Sequence, residues 1–431
     1  MSKYFGTDGI RGVAGEELTA RTAFALGNSL CRLKSKARVV VGQDTRTSSD
    51  MLALALSAGV TAGGGEVLAG GVLPTAAVAY FVRKENADFG VVISASHNPP
   101  EFNGLKVFDT AGCKLGEKQE ERAEHWFEEY AFASALHCGR VKPIPRREDY
   151  TDYLARCCET SLEGKTFVLD CANGAAGSFA PRVFRKLGAK VIPMNCGRDG
   201  RRVNEHCGAL HPEGMCRAVS ETGADAGFCY DGDADRLIAA DARGKIADGD
   251  TVLCILATEL KRRGRLTGGL AVGTSHTNTG AERYLSERGI RLARTDIGDK
   301  YVAAYMRKSG AVIGGEQSGH IILSEYSTTG DGILTSVKLA ELIAKTPLSE
   351  LADVKLLPQY NVSVRVADKV RVLGNEEVRA SIALESEKVD RLVVRASGTE
   401  PVIRIFAEAE TLSAARNAAE SVRRTIVRTG V

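Results

Sequence analysis

The chain has 431 residues, 44% of them apolar and 26% charged, with 57 Lys+Arg against 54 Asp+Glu. At ~100–200 residues per domain this length implies about two to four domains, each able to bury a core without staples. The near-neutral balance argues against a nucleic-acid partner, and no apolar run approaches the ~18 residues of a membrane span.

Three segments share one pattern of strand, polar turn, amphipathic helix, glycine and second strand. The first runs from Val39-Val40-Val41 through a helix starting near Asp50 to Glu66-Val67-Leu68. The second runs from Phe167-Val168-Leu169 through a helix ending near Gly188 to Lys190-Val191-Ile192, and the third from Leu270-Ala271-Val272 to Ile290-Arg291-Leu292. Each reads as a βαβ unit with a right-handed crossover, so three related α/β domains with mixed sheets are expected. The last part differs. Residues 361–366 alternate with period 2, and a helix, two more strands (391–395 and 402–408) and a final helix from about 412 follow. That order predicts a smaller α+β domain. Candidate linkers near 142–145, 241–249 and 356–358 divide the chain into 1–143, 146–244, 247–356 and 359–431.

The 11 cysteines are scattered, odd in number and without a C-x-x-C pair. They read as reduced thiols. Cys196, His206, Cys207, His211 and Cys216 cluster in sequence, but their spacings match no common zinc pattern. The N-terminal Met-Ser-Lys-Tyr-Phe-Gly carries no apolar targeting segment. A cytoplasmic location is expected.

The sharpest local feature is Asp231-Gly232-Asp233-Ala234-Asp235-Arg236, between two apolar strands. Three carboxylates at alternate positions repel one another unless a cation lies between them, and oxygen ligands select Mg²⁺ or Ca²⁺. An EF-hand is excluded, since Arg236 and Ala242 stand at its glycine and glutamate positions. Ile93-Ser94-Ala95-Ser96-His97-Asn98-Pro99 closes another apolar strand. Adjacent side chains of an extended chain point to opposite sides, so His97 is expected to face away from Ser96. Ser94, two residues earlier, is expected to belong to the strand. Arg395-Ala396-Ser397-Gly398-Thr399-Glu400-Pro401, with Arg404 beyond it, offers hydroxyls, glycine amides and guanidinium groups suited to a phosphate dianion. Gly314-Gly315-Glu316-Gln317-Ser318-Gly319-His320 carries a carboxylate suited to sugar hydroxyls, and Gly6-Thr7-Asp8-Gly9-Ile10-Arg11-Gly12 is a further glycine-rich loop. Neither a Walker A loop nor a G-x-G-x-x-G fingerprint is present.

Taken in chain order, from Tyr4 to about Glu408, the five loops resemble those of the α-D-phosphohexomutases. The opening F-G-T-D-G-I-R-G and the loop G-E-Q-S-G-H are most similar to the phosphoglucosamine mutases of that superfamily. The resemblance implies four domains around a central cleft, and a phosphoserine isomerase using one Mg²⁺ per subunit. Its substrates would be small sugar phosphates. Glucosamine 6-phosphate and glucosamine 1-phosphate would interconvert through glucosamine 1,6-bisphosphate, feeding UDP-N-acetylglucosamine synthesis. Carried over by position, Ser96 bears the phosphoryl group and completes a metal site with Asp231, Asp233 and Asp235. Arg11, His97, Lys106 and Arg236 line the transferring group, with Lys106 the candidate proton shuttle. Glu316 and Ser318 match the sugar contacts, and Arg395, Ser397, Gly398, Thr399 and Arg404 match the grip on the second phosphate. Two departures stand out. Ala234 replaces the glycine usual in D-G-D-G-D-R, and Pro99-Pro100-Glu101-Phe102-Asn103 is worded like phosphomannomutase/phosphoglucomutase. A mutase for those sugars is therefore the alternative reading, with a non-catalytic sugar-phosphate sensor behind it. Nothing in the sequence indicates an oligomeric state.

Overall fold

Three strands, Arg38–Gln43, Thr166–Asp170 and Leu270–Thr274, form the hearts of three sheets. Each is buried after its first residue, which is why its sequence runs apolar instead of alternating. The computed structural model describes residues 4–6, 8–128, 135–397 and 401–429.

Each heart strand has two parallel neighbours. They are Glu66–Val72 and Phe89–Ile93 in the first sheet, and Lys190–Met194 and Ala226–Tyr230 in the second. In the third they are Arg291–Thr295 and Ile313–Gly315. The second neighbour then turns back into an antiparallel partner: Phe102–Phe108, Leu237–Asp241 or Ile321–Leu323. The structural repeat is thus longer than the βαβ pattern in the sequence. It adds a second crossover helix (Thr75–Lys84, Glu213–Thr222 or Asp299–Ser309) and a returning strand. Outer strands extend the first two sheets to six and five strands, while the third has these four alone among the described residues, and all three are mixed. The α/β class expected from the sequence is the one observed.

By compactness the chain divides into two units, one of residues up to His276 with Gly289–Asp353, the other of Thr277–Arg288 with residues from Val354. The second unit holds an antiparallel sheet ordered Gln359–Arg365, Val402–Glu408, Arg391–Ala396. Its core is aliphatic, with Val364, Ile403 and Ile405 of the sheet buried against Val422 and Ile426 of the helix Leu412–Arg428. The helix Thr279–Glu287 packs within this unit. Asn278 and Leu357 exchange two 2.9 Å bonds, Nδ2 to the carbonyl and Oδ1 from the amide. The fully buried Glu408 accepts from Thr279 Oγ1 and Gln359 Nε2, both at 2.6 Å. As the sequence predicts, that helix joins the parallel strands Leu270–Thr274 and Arg291–Thr295 of the third repeat, and the bond from Thr279 to Glu408 also ties it to the C-terminal sheet.

Candidate active site

The three loops that carry Ser96, Asp231 and Glu316 are the same loop of the repeat. Each joins the second parallel neighbour to its antiparallel partner, at the carboxyl end of parallel strands, where α/β sheets place ligands. Their backbones touch. A Cβ on Gly232 would lie 2.7 Å from the Ser96 carbonyl oxygen, and one on Gly319 would lie 2.2 Å from that of Leu237. Thr75 N–H donates to the Asp233 carbonyl, and Gly332 N–H to that of Ala234, each at 2.9 Å.

Ser96 is buried and left-handed, with φ at +54°. The strand ends at Ile93, so Ser94 and Ser96 both lie beyond it. The extended geometry expected for 96–97 is therefore corrected. The left-handed residue swings the two side chains together, and Ser96 Oγ lies 3.3 Å from His97 Nδ1. Burial first, then Arg236 and Arg11, push the His97 imidazole down to about 3, so it is neutral. Ser96 Oγ also donates to Asp231 Oδ2 at 2.5 Å. Ser94 Oγ accepts from Ser96 N–H at 2.8 Å, a contact its assumed place in the strand did not foretell.

Asp231, Asp233 and Asp235 are buried, and one carboxylate oxygen from each lies within 4.8 Å of the others. Among the described residues this is the one cluster with metal-ligating geometry; the Cys196–Cys216 cluster forms none. Burial, then Asp235 and Asp233, raise the Asp231 carboxyl well above its ordinary range. For Asp235 burial also acts upward, but Lys106, His320 and Arg236 outweigh it and hold the group well below. Lys106 Nζ donates to Asp233 Oδ2 at 2.7 Å and Asp235 Oδ2 at 3.0 Å. Burial opposes its charge, yet Asp233, Asp235 and Asp8 keep the ammonium strongly protonated. Thr75 Oγ1 donates to the same Asp233 oxygen at 2.5 Å. The opposite oxygens, Asp233 Oδ1 and Asp235 Oδ1, are buried without a hydrogen-bond partner. Orphaned carboxylate oxygens within a cluster of three aspartates fit a hard divalent cation. The residues present therefore suit Mg²⁺.

Arg11 pairs with Asp8 and Arg236 with Asp231, the latter through its backbone N–H at 3.2 Å; both arginines keep a buried Nε without a hydrogen-bond partner, that of Arg236 lying 3.9 Å from Asp235 Oδ1. Asp8, Lys114 and Asp299 extend the charge network, Lys114 bridging the two carboxylates. His320 lies between Asp235 (3.6 Å) and Asp299 (3.5 Å). Glu316 accepts from Gly298 N–H at 3.2 Å, burial raises its carboxyl, and Ser318 is half-buried on the same turn. Sequence reasoning missed Thr75, Lys114 and Asp299, which carry no motif and reach the site only through folding.

In the C-terminal unit Arg395 stands directly across from Arg404 on antiparallel strands. Burial, then Arg404, pulls the Arg395 guanidinium below its ordinary range. Like charges placed opposite each other are destabilising and call for an anion. Ser397 is buried, its N–H donating to Val402 and its carbonyl accepting from Lys369 Nζ at 2.7 Å. Gly398 and Thr399 lie outside the described residues.

Four domain families match the chain: phosphoglucomutase/phosphomannomutase alpha/beta/alpha domains I (2–134), II (148–244) and III (248–357), and the C-terminal domain (334–425). A phosphoglucosamine mutase of Moorella thermoacetica is 45% identical over 425 residues, covering 95% of each chain. One from Clostridioides difficile is 43% identical over 427 residues, again 95% of each. The chain belongs to the phosphoglucosamine mutases of this family. The mutase is accordingly an isomerase that relocates a phosphoryl group. Its fold is that of a phosphoglucomutase/phosphomannomutase family protein from Burkholderia thailandensis (TM-score 0.85, 25% identity, 100% of this chain and 98% of that one). An N-acetylphosphoglucosamine mutase from Aspergillus fumigatus, solved in complex with GlcNAc-6P and magnesium, shares the fold at 18% identity (TM-score 0.70, 100% and 96% covered). Among the described residues no helix is long and apolar enough to cross a membrane.

Proposed function

We propose that the mutase interconverts glucosamine 6-phosphate and glucosamine 1-phosphate through a phosphoserine at Ser96 and a glucosamine 1,6-bisphosphate intermediate. The phosphoryl group passes from Ser96 Oγ to the free sugar hydroxyl, and the proton of that hydroxyl ends on Ser96 Oγ. The bisphosphate turns over, and Ser96 takes back the phosphoryl group from the other position. The observation that carries this reading is Ser96 Oγ at 2.5 Å from Asp231, beside two buried carboxylate oxygens left unpaired.

One Mg²⁺ per subunit, held by Asp231, Asp233, Asp235 and a phosphoryl oxygen on Ser96, would neutralise the charge of the transferring group. Arg11 and Arg236, each with an Nε–H that makes no hydrogen bond, present guanidinium donors to phosphoryl oxygens. The neutral His97 ring, its Nδ1 3.3 Å from Ser96 Oγ, lines the transferring group and holds that oxygen by a hydrogen bond. Lys106, protonated at rest, donates its proton to a sugar oxygen and recovers it. Glu316 and Ser318 hold sugar hydroxyls, while Arg395, Ser397, Gly398, Thr399 and Arg404 hold the phosphate that is not moving. The opposed Arg395–Arg404 pair supports that grip. We place the domains at 1–143, 146–244, 247–356 and 359–431, a division supported by four separate sheets, although the edge strand Ile246–Ala247 of the second sheet reaches past 244. The product would supply UDP-N-acetylglucosamine synthesis in the cytoplasm, a compartment consistent with eleven unpaired thiols.

The test is turnover of glucosamine 6-phosphate with a bisphosphate primer, side by side with glucose and mannose phosphates. The expected result is the highest kcat/KM for glucosamine phosphate, with phosphate found on Ser96 by mass spectrometry. Preference for glucose or mannose phosphate would transfer the same chemistry to those sugars. Full turnover by Ser96→Ala would overturn the phosphoserine route.

A further inference from the structure

Beneath the Ser96 loop lies a fully buried arginine to which the mechanism above gives no part. Arg46 follows the strand Arg38–Gln43, and its side chain is 0% exposed. Its Nε donates to Asp44 Oδ2 at 2.8 Å. Nη1 donates to the carbonyls of Pro99 and Phe102, the latter at 2.9 Å. Nη2 donates to the carbonyls of Ser96 at 2.9 Å and Asn98 at 2.8 Å. A guanidinium has five N–H donors, and here five acceptors take them, four of which are carbonyls of the serine loop. No donor is left over for a substrate.

The same pair holds Ser96 from its other end. Asp44 Oδ2 accepts from Ser94 Oγ at 2.6 Å, and Ser94 Oγ accepts from Ser96 N–H at 2.8 Å. Asn204 Nδ2 adds a second donor to the Ser96 carbonyl at 2.9 Å. Ser96 is thus gripped at both its amide and its carbonyl, at a φ of +54° that an L-residue leaves unless its surroundings fix it. That conformation is what sets Ser96 Oγ between Asp231 and His97.

We propose that Arg46, seated by Asp44, is a positioning residue for phosphoryl transfer: it clamps the loop carbonyls so that Ser96 Oγ stays in line with the group it gives and receives. The inference rests on Ser96 being the phosphoryl carrier. A lysine cannot replace the clamp, because one ammonium offers three donors from a point where the loop needs a planar fork. A misplacement of about 1 Å at a reacting atom costs on the order of 100-fold in rate.

The test compares wild type, Arg46→Lys and Ser94→Ala for kcat, KM, thermal melting and amide hydrogen exchange across residues 94–103. Arg46→Lys keeps a cation beside Asp44 and so avoids a lone buried charge. The expected result is a fall in kcat of about 100-fold with KM within about threefold, and faster exchange confined to that loop. Ser94→Ala, which removes no charge, should lose about tenfold in kcat. Added methylguanidinium should restore part of the activity of Arg46→Ala but none of that lost by Ser96→Ala. A folded Arg46→Lys with wild-type kcat and wild-type loop exchange would overturn the clamp. If wild type neither turned over sugar phosphate nor carried phosphate on Ser96, the proposed function would fall. The exchange rates would still decide whether Arg46 fixes the loop.

Discussion

Lys106 Nζ lies 2.7 Å from Asp233 Oδ2, with both side chains sealed from solvent. The ammonium engages that oxygen of Asp233 and leaves the other, Oδ1, buried without a hydrogen-bond partner. One cation is therefore built into the chain and a second is called for by the remaining oxygens. Chelation is expected to abolish turnover and Mg²⁺ to restore it. Asp233→Asn should weaken Mg²⁺ binding by about tenfold or more, read by calorimetric titration. Ca²⁺ should bind yet support turnover poorly, because its looser coordination misplaces phosphoryl oxygens. Undiminished activity in excess chelator would remove the metal from the mechanism.

Arg404 faces Arg395 across the C-terminal sheet and should act on phosphate binding alone. Arg404→Ala is expected to raise KM by roughly 10- to 150-fold, the equivalent of about 1.5–3 kcal/mol for a charge-assisted contact. Mg²⁺ affinity should stay at the wild-type value. Steady-state kinetics with a parallel metal titration reads both quantities, and an unchanged KM would leave this arginine as an ordinary surface charge.

Ala234 stands at φ +58°, a conformation in which its Cβ crowds the backbone. Ala234→Gly should relieve that strain and stabilise the fold by about 0.5–1 kcal/mol, part of the gain being offset by the freer unfolded glycine. Denaturant melts of the two proteins test this. A lower midpoint for the glycine variant would mean that the alanine methyl contributes packing worth more than the strain.

Asp331 caps the helix Gly332–Ile343 through Leu334 N–H and accepts from Tyr150 Oη at 2.7 Å. Burial raises its carboxyl to about 6. Its folded value lies above the unfolded ~3.9, so its contribution to stability is present below pH ~4 and lost as pH rises through ~6. The loss is on the order of 3 kcal/mol by linkage. Asp331→Asn keeps an oxygen for the cap and removes the titration. Urea melts should therefore show the variant gaining on wild type between pH 4 and pH 7. A constant difference across that range would mean that Asp331 titrates normally.

Much of the mutase was fixed locally. Apolar strands such as Val39-Val40-Val41, the three-carboxylate loop and the paired arginines near 395–404 announce themselves because period and composition act over a few residues. Where those loops meet is a different matter. Arg46 looks like any polar residue after a strand, and nothing nearby in sequence says that Ser96, Asn98, Pro99 and Phe102 will turn their carbonyls toward it. The helix Thr279–Glu287 has the spacing of a crossover and is one, but nothing in that spacing tells that the buried bonds of Asn278 and Glu408 also tie it into the C-terminal unit. The left-handed Ser96, which overturned the expectation for His97, is also a tertiary outcome. Its strain is held by donors 50 and 108 residues away in the chain, and such long-range hydrogen bonds leave no periodic trace in the sequence.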